Sequence, residues 1–384
     1  MATGYLHGIK IEENPEGAPS IAPIRTSVIG LVGTASDGDD VPGMNEPFLI
    51  AKPSDASRLL GKIVSGQEST SNTMLRSIEA INFQTSPLIV CIRVASADAA
   101  AGNLSEGTGV YALLKAQSKV GFTPKILIAP TFAHLAEVKT ALLLVAEKLR
   151  AEALIDGSID NKINDIIDVA KNSDSSRFYL SYPWVEGEGS SGDLPLSPFI
   201  AGLIAKNDAE NGFWSSPSNK ELRGIKRLKR DIGWSLSDPD SEANLLNEKG
   251  IATVIRHNGY RLWGSRNLGK GDKTNSANKF LNVRRITDTI NDSVALSSMW
   301  AVDQDITKNY VQDVLESVNN YLRNLRSNGA ILNGTAWADP KDNPPDNIKN
   351  GQIIFSFDYS PVYPGEQIKF KSILTDKYLK EVFE

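Results

Sequence analysis

From Pro87 onward the chain alternates short apolar runs with amphipathic segments, and this alternation leaves few folds open. "PLIVCIRV" has the length and β-branched content of a buried strand, "GVYALLKAQSKV" reads as a helix, and "PKILIAP" as a strand. "AHLAEVKTALLLVAEKLRAE" then puts Leu135, Val138, Leu142, Val145 and Leu149 at helical spacing. The unit recurs. "EALID" reads as a strand, "SIDNKINDIIDVAKN" as a helix with Ile159, Ile163, Ile166 and Ile167 on one face, and "RFYLSYPWV" as another strand. After the loop "EGEGSSGDLPLSP" comes a helix around Phe199 to Asn207. Strands alternating with helices of this length predict an α/β domain whose mostly parallel sheet is covered by helices on both faces.

The flanks read differently. Upstream, Ile24 to Val32 has strand character, "PSDASRLLG" opens a helix with Ser54 as its expected cap, and Val41 to Phe83 forms a smaller unit leading into the sheet. Downstream, "SANKFLNVRRITDTINDSVALSSMWAVD" and "ITKNYVQDVLESVNNYLRNLRSNGAI" are two long helices. The second carries Tyr310, Val314, Val318, Tyr321, Leu322 and Leu325 at helical spacing and stops at Gly329. Beyond the turn "DPKDNPPDN", alternating residues predict an antiparallel pair, Ile353 to Phe357 with Gln367 to Ile373, around "SPVYPGE". The two ends, "YLHGIKI" at Tyr5 to Ile11 and Leu379 to Phe383, are strand-like but too isolated to bury themselves. An isolated strand carries unpaired N–H and C=O groups, so it must join a sheet or stay mobile.

The chemistry on offer is thin. At 384 residues there is room for two or three cores, and 41% hydrophobic with 23% charged residues is an ordinary globular composition. No apolar run approaches the roughly 18 residues of a membrane span, so no membrane insertion is expected. "MATGYLHGIKIEENPEGAPS" lacks a secretory pattern, which predicts maturation in the cytosol. Cys91, the sole cysteine, sits in an apolar run and reads as a small core hydrophobe. The three histidines, His7, His134 and His257, stand in unlike contexts without metal-ligand spacing, and "SDGDD" (Ser36 to Asp40) lacks the spaced ligands of a calcium loop. "GEGSSGD" does not satisfy G-x-S-x-G at Ser190 or Ser191, leaving a hydrolase only as an alternative reading. The basic run "KELRGIKRLKRD" (Lys220 to Asp231) has no interleaved aromatics, and the net charge of −5 argues against nucleic acid as a partner; a solvated face or contact with an acidic neighbour fits it better. "GSRNLGKG" (Gly264 to Gly271) comes within one residue of a phosphate-cradling loop. Gly271 stands where the magnesium-binding hydroxyl belongs, so nucleotide binding is not expected. No catalytic, metal or cofactor residue is assigned.

Trp263 and Arg266 find another setting. "GYRLWGSRNL", then "FLNVRRITDTI" and "WAVDQDIT", resemble the signature region of contractile tail sheath proteins. "GFTPKILIAP", "SPSNKEL", "NLLNEKGIATVIRHNGYRLWG", "VNNYLRNLRSNGAI" and "YPGEQIKF" fall in that family's order, so the resemblance covers nearly the whole chain. It implies a subtilisin-like α/β middle region without protease residues, and the chain indeed has no H-G-T-H and no G-T-S-M-A. The implied division is an N-terminal arm (1–23), a small α/β unit (24–86), the subtilisin-like sheath domain (87–270) and an α+β C-terminal domain with its own arm (271–384). The resemblance further implies a helical homopolymer of stacked, hexameric rings in a virion tail, assembled in the host cytoplasm. Its partners would be an inner tail tube, a baseplate and a tail terminator. Such sheaths exchange strands between copies. That assigns Tyr5, Leu6, Gly8, Ile9 and Ile11 to one inter-subunit arm and Tyr378, Leu379, Val382 and Phe383 to the other. Ile353, Phe355, Phe357, Ile368 and Phe370 are then the expected acceptor strands. Lys308, Arg323 and Arg326 are the expected tube-facing charges. Contraction would draw on energy stored in assembly, with no nucleotide hydrolysed.

Overall fold

A computed structural model of the chain describes residues 20–35, 41–60, 72–188, 192–269 and 279–382. Thirteen strands are present among them. β1 (Ile29–Gly33), β2 (Pro47–Ile50), β3 (Ile89–Arg93), β4 (Ile126–Ile128), β5 (Glu152–Asp156), β6 (Phe178–Ser181), β10 (Ile251–Arg256) and β11 (Tyr260–Trp263) form one sheet, with β7 (Val185–Gly187), β8 (Asp193–Leu194) and β9 (Ile225–Leu228) in a small side sheet. β12 (Ile331–Trp337) and β13 (Ser356–Pro361) make a separate pair. The large sheet runs β11-β10-β6-β5-β4-β1-β3-β2, and only its edge strands β2 and β11 lie antiparallel to their neighbours.

The predicted α/β architecture is present, and burial explains it. β1, β3, β4 and β5 are buried along their whole length, as strands covered on both faces must be. Their side chains divide by pleat: Ile29 and Leu31 enter one core with α1 (Pro53–Leu60), α2 (Thr73–Asn82) and α7 (Ser197–Asn211). Val32, Leu127 and Ala153 enter the other, beneath α3 (Ala97–Ala101), α4 (Ala116–Val120), α5 (Ala136–Leu149), α6 (Ile163–Lys171) and α8 (Glu242–Glu248). β1 comes early in the chain yet lies between β3 and β4. The 24–86 stretch therefore contributes an interior strand to the sheet, packed into both of its cores.

The C-terminal part gathers around a third core. α9 (Leu281–Ser297) and α10 (Lys308–Ser327) bring Ile286, Ile290, Val318, Tyr321, Leu322 and Leu325 against Ile331, Ala336 and the partly buried Phe357 and Tyr359. Gly329, at φ +79, ends α10 where the sequence placed the stop and turns the chain straight into β12. α11 (Pro345–Lys349) is a single turn in the following loop.

Four local expectations are corrected. Ser54 is not the cap of α1 but sits inside it; the Asp55 carboxylate accepts from the Ala51 and Lys52 N–H groups instead. "GVYALLKAQSKV" is a 3-10 turn (Gly109–Lys115) followed by the short α4, and "RFYLSYPWV" breaks after Ser181 so that β7 joins the side sheet. The expected pairing of Ile353–Phe357 with Gln367–Ile373 does not form. Ser356–Pro361 pairs instead with Ile331–Trp337, while Ile353, Phe355, Ile368 and Phe370 lie outside any strand. The reason is local: α10 and the turn at Gly329 deliver β12 already packed beside Ser356–Pro361, which takes the pairing.

Candidate functional site

Three amide groups of the near-nucleotide loop are engaged within the chain. A phosphate cradle needs backbone N–H groups aimed at an anion. Here Gly264 N–H donates to Ser218 Oγ (3.1 Å), Asn267 N–H to the Lys279 carbonyl (2.8 Å) and Leu268 N–H to the Phe178 carbonyl (2.9 Å). Gly264 itself is required by close packing, since at φ +139 a Cβ would sit 2.8 Å from Ala252 Cα. Lys270 and Gly271 lie outside the described residues, as do Ser190 and Ser191. The basic run is likewise committed within the chain. Lys226 and Arg227 both bind Glu186, Lys229 binds Asp193 and Arg230 binds Glu242. Its positive charge is therefore matched by carboxylates of the same molecule.

The "N-V-R-R" segment forms an ionic joint. α9 lays Arg284, Arg285, Asp288 and Asp292 against the N-terminal ends of β4, β5 and β6 and the end of α7. Arg285 holds Asp208 through two bonds (2.7 and 2.5 Å), with both side chains 5% exposed. Asp288 takes Arg177 (2.7 and 3.0 Å) and Arg284, and Asp292 takes Lys125 and Arg150. Burial lowers the Arg285 guanidinium's affinity for its proton, but the Asp208 carboxylate outweighs burial and the pKa is raised. At the centre lies Glu152, 1% exposed, with Oε2 3.2 Å from Asn267 Nδ2 and Oε1 without a hydrogen-bond partner.

Burial, reinforced by Asp288 and opposed by Arg177, Arg284 and Arg285, pushes the Glu152 carboxyl up to about 8. A raised carboxyl pKa stabilises the fold fully below the ordinary value of 4.5, and that stability is lost as pH rises through about 8. Each pKa unit corresponds to about 1.4 kcal/mol. Glu152→Gln is therefore expected to raise stability more at pH 8 than at pH 5 in denaturant titrations. A variant equally affected at both pH values would contradict this.

The C-terminal tail and the β12–β13 pair form the second feature. Ala336 N–H donates to Asn319 Oδ1 (2.9 Å) and Asn319 Nδ2 donates to the Ala336 carbonyl (3.1 Å), so the α10 amide closes the outer edge of β12 there. A residue whose N–H and C=O both face outward belongs to a non-hydrogen-bonded pair. Its partner Phe357, and Tyr359 two residues on, therefore turn their own N–H and C=O away from β12, along a β13 edge that has no strand partner among the described residues. Beyond Pro361 the described chain has no strand. Ile368 is 73% exposed, Phe370 90% and Leu374 99%, and Tyr378, Leu379 and Val382 are exposed too; Leu379–Val382 is one 3-10 turn. Phe383 and the N-terminal Tyr5, Leu6, Gly8, Ile9 and Ile11 lie outside the described residues.

Lys308, Arg323 and Arg326 are all exposed on α10. Arg323 and Arg326 are neighbours near its end, while Lys308 starts the helix, about 23 to 27 Å away at 1.5 Å per residue. Two features escaped the sequence reading. The Asp208–Arg285 and Asp292 pairs join residues far apart in the chain, and only the doubled arginine in "NVRR" signals them. Nothing in the sequence signals the Asn319 plug.

Comparison with known proteins agrees with the fold. Residues 106–268 match the phage tail sheath protein central domain, 273–375 the phage tail sheath C-terminal domain, and 26–94 the tail sheath protein Gp18 domain III N-terminal region. A prophage major tail sheath protein of Pseudomonas aeruginosa is 34% identical over 395 residues, covering 99% of both chains. The tail sheath protein of Escherichia phage P2 is 30% identical, covering 98% of this chain and 97% of its own. Among solved structures, the contracted helical sheath of the anti-feeding prophage superposes with a TM-score of 0.75 at 21% identity, covering 97% of this chain and all of that one. On these matches the chain belongs to the phage tail sheath family and is a structural sheath subunit, not a hydrolase.

Proposed function

We propose that the chain polymerises around an inner tail tube by lending its ends to neighbouring copies, and that the resulting lattice contracts to drive the tube through a target envelope. The observation that carries this reading is the pairing of opposites in one molecule: a tail whose large side chains Ile368, Phe370, Ile373 and Leu374 are exposed, and a β13 edge with outward N–H and C=O groups at Phe357 and Tyr359. Backbone pairing joins such partners at little cost in specificity, because alternate side chains of the added strand find pockets while the main chain supplies the bonds. Tyr378, Leu379, Val382 and Phe383 form the C-terminal arm, and Ile368 and Phe370, expected from the sequence as acceptors, are assigned to it as well because they lie outside any strand and are exposed. Tyr5, Leu6, Gly8, Ile9 and Ile11 form the N-terminal arm. Phe357 marks the acceptor, with Ile353 and Phe355 at its entrance.

The exposed cations Lys308, Arg323 and Arg326 face the tube in this reading, and stacked hexameric rings grow from a baseplate to a terminator inside the host cytoplasm. Residues 24–86 and 87–270 act as one body, 271–366 as the tube-side body, and 1–23 as the other arm. Rigid bodies linked through flexible arms shorten as a lattice without separating. The purified full chain is expected to form tubes on concentration, visible by negative-stain electron microscopy. A monodisperse monomer at every concentration, also in the presence of baseplate and tube proteins, would count against it.

A further inference from the structure

Strand addition leaves two motifs without a task, and they meet in space. Arg266, from "WGSR", pairs its backbone with Phe280 in an isolated antiparallel bridge just before α9. Its side chain reaches Glu366, from "YPGE": Nε stands 2.7 Å from Oε1 and 2.9 Å from Oε2, and a terminal guanidinium nitrogen also donates to Oε2. Ser265 Oγ lies 3.5 Å from Oε1. The side chains are only 26% and 32% exposed, so the pair is partly shielded from water and held by more than one bond. Just upstream, Asn282 Nδ2 donates to the Val362 carbonyl (3.3 Å) and the Tyr363 ring meets Phe280 edge-on at 6.3 Å. Past Glu366 the hydrogen bonds of the described residues are local to the tail, as between Lys377 and Thr375 or Leu379 and Asp376.

We propose that Arg266 is a positioning residue for the C-terminal tail: by clasping Glu366 against the joint between sheet and α9, it fixes the point and heading at which the tail leaves the body. Its consequence for assembly rests on the strand-addition reading. A tether raises the local concentration of a binding segment most when its root is fixed and its free length matches the span. Pinning the root at Glu366 instead of Val362 removes four residues of slack from every subunit in the same way.

Spin labels on Lys369→Cys and Leu236→Cys in the full chain test the clasp directly. The native Cys91 is fully buried and stays unlabelled. Lys369 lies three residues past Glu366 and seven past Val362. Opening the clasp with Arg266→Glu or Glu366→Gln is expected to widen the distance distribution about 1.5-fold, since spread grows as the square root of tether length. The exchanged pair Arg266→Glu with Glu366→Arg is expected to narrow it again and to restore tube yield lost in the single variants. Glu366→Gln leaves the body's own residues intact, so a folding defect does not mask the result. Unchanged widths in both single variants would overturn the clasp. Tubes formed by a chain ending at Glu366 would overturn strand addition through the tail, while the label widths would still decide the clasp.

Discussion

Removal of Gln367 through Glu384 is expected to leave a monomer that unfolds like the full chain and forms no tubes. The tail contributes almost nothing to its own body. Ile368, Phe370, Ile373 and Leu374 are 73 to 99% exposed, so deleting them gives up little buried apolar area, and Glu366 and its contacts remain. The unfolding temperature is expected to stay within about 2 °C, because surface changes of this kind are worth only a few tenths of a kcal/mol. Assembly is another matter. Fully burying a large apolar side chain contributes about 1.5–3 kcal/mol, so Phe370 and Leu374 together would change a subunit contact by orders of magnitude in dissociation constant. That loss repeats at every link of a polymer. Calorimetry with sedimentation velocity and electron microscopy would read both halves. Intact tubes would mean that copies are joined elsewhere; a large drop in unfolding temperature would mean that the tail docks on its own subunit.

The middle of the large sheet was legible because buried parallel strands write themselves as short apolar runs, "PLIVCIRV", "KILIAP" and "EALID", separated by helices with clean apolar faces. By sequence "IRTSVIGLV" falls in a separate small unit, and β2, β10 and β11 are not read as strands of the sheet. Strand order was not. Nothing local says that β1 belongs between β3 and β4, since that is decided by which pairing lets helices cover both faces. The tail was misread for a related reason. "QIKFKSI" alternates as a strand does, and a period of two cannot say whether its partner lies in the same chain or another. The ionic joint was half legible: "NVRR" advertised paired cations, but Asp208 and Arg177 carry no sign that they will meet it.

That joint carries the other large effect. Arg285→Ala is expected to destabilise the chain by about 3–5 kcal/mol in denaturant titration, because it removes one partner of a buried pair and strands the other. Asp208, 5% exposed, would keep only the Thr26 hydroxyl, at 2.6 Å, and the Thr26 and Phe213 carbonyls would lose their donor (3.2 and 3.5 Å). The stranded charge, not the missing attraction, dominates the cost. Replacing both partners with apolar residues of similar volume, Arg285→Met with Asp208→Leu, is therefore expected to recover most of the loss, as buried ion pairs gain little over well-packed hydrophobes. Arg285→Lys should fall between, since a single ammonium cannot serve the two carboxylate oxygens and two carbonyls that the planar guanidinium reaches. If Arg285→Ala cost less than about 1 kcal/mol, the typical worth of an exposed pair, water would have to reach Asp208 and the α9 joint would be open. On the strand-addition proposal, the closed joint ties α9 of the tube-side body firmly to the sheet, so strain would pass on to the proposed arms instead of being absorbed within each copy.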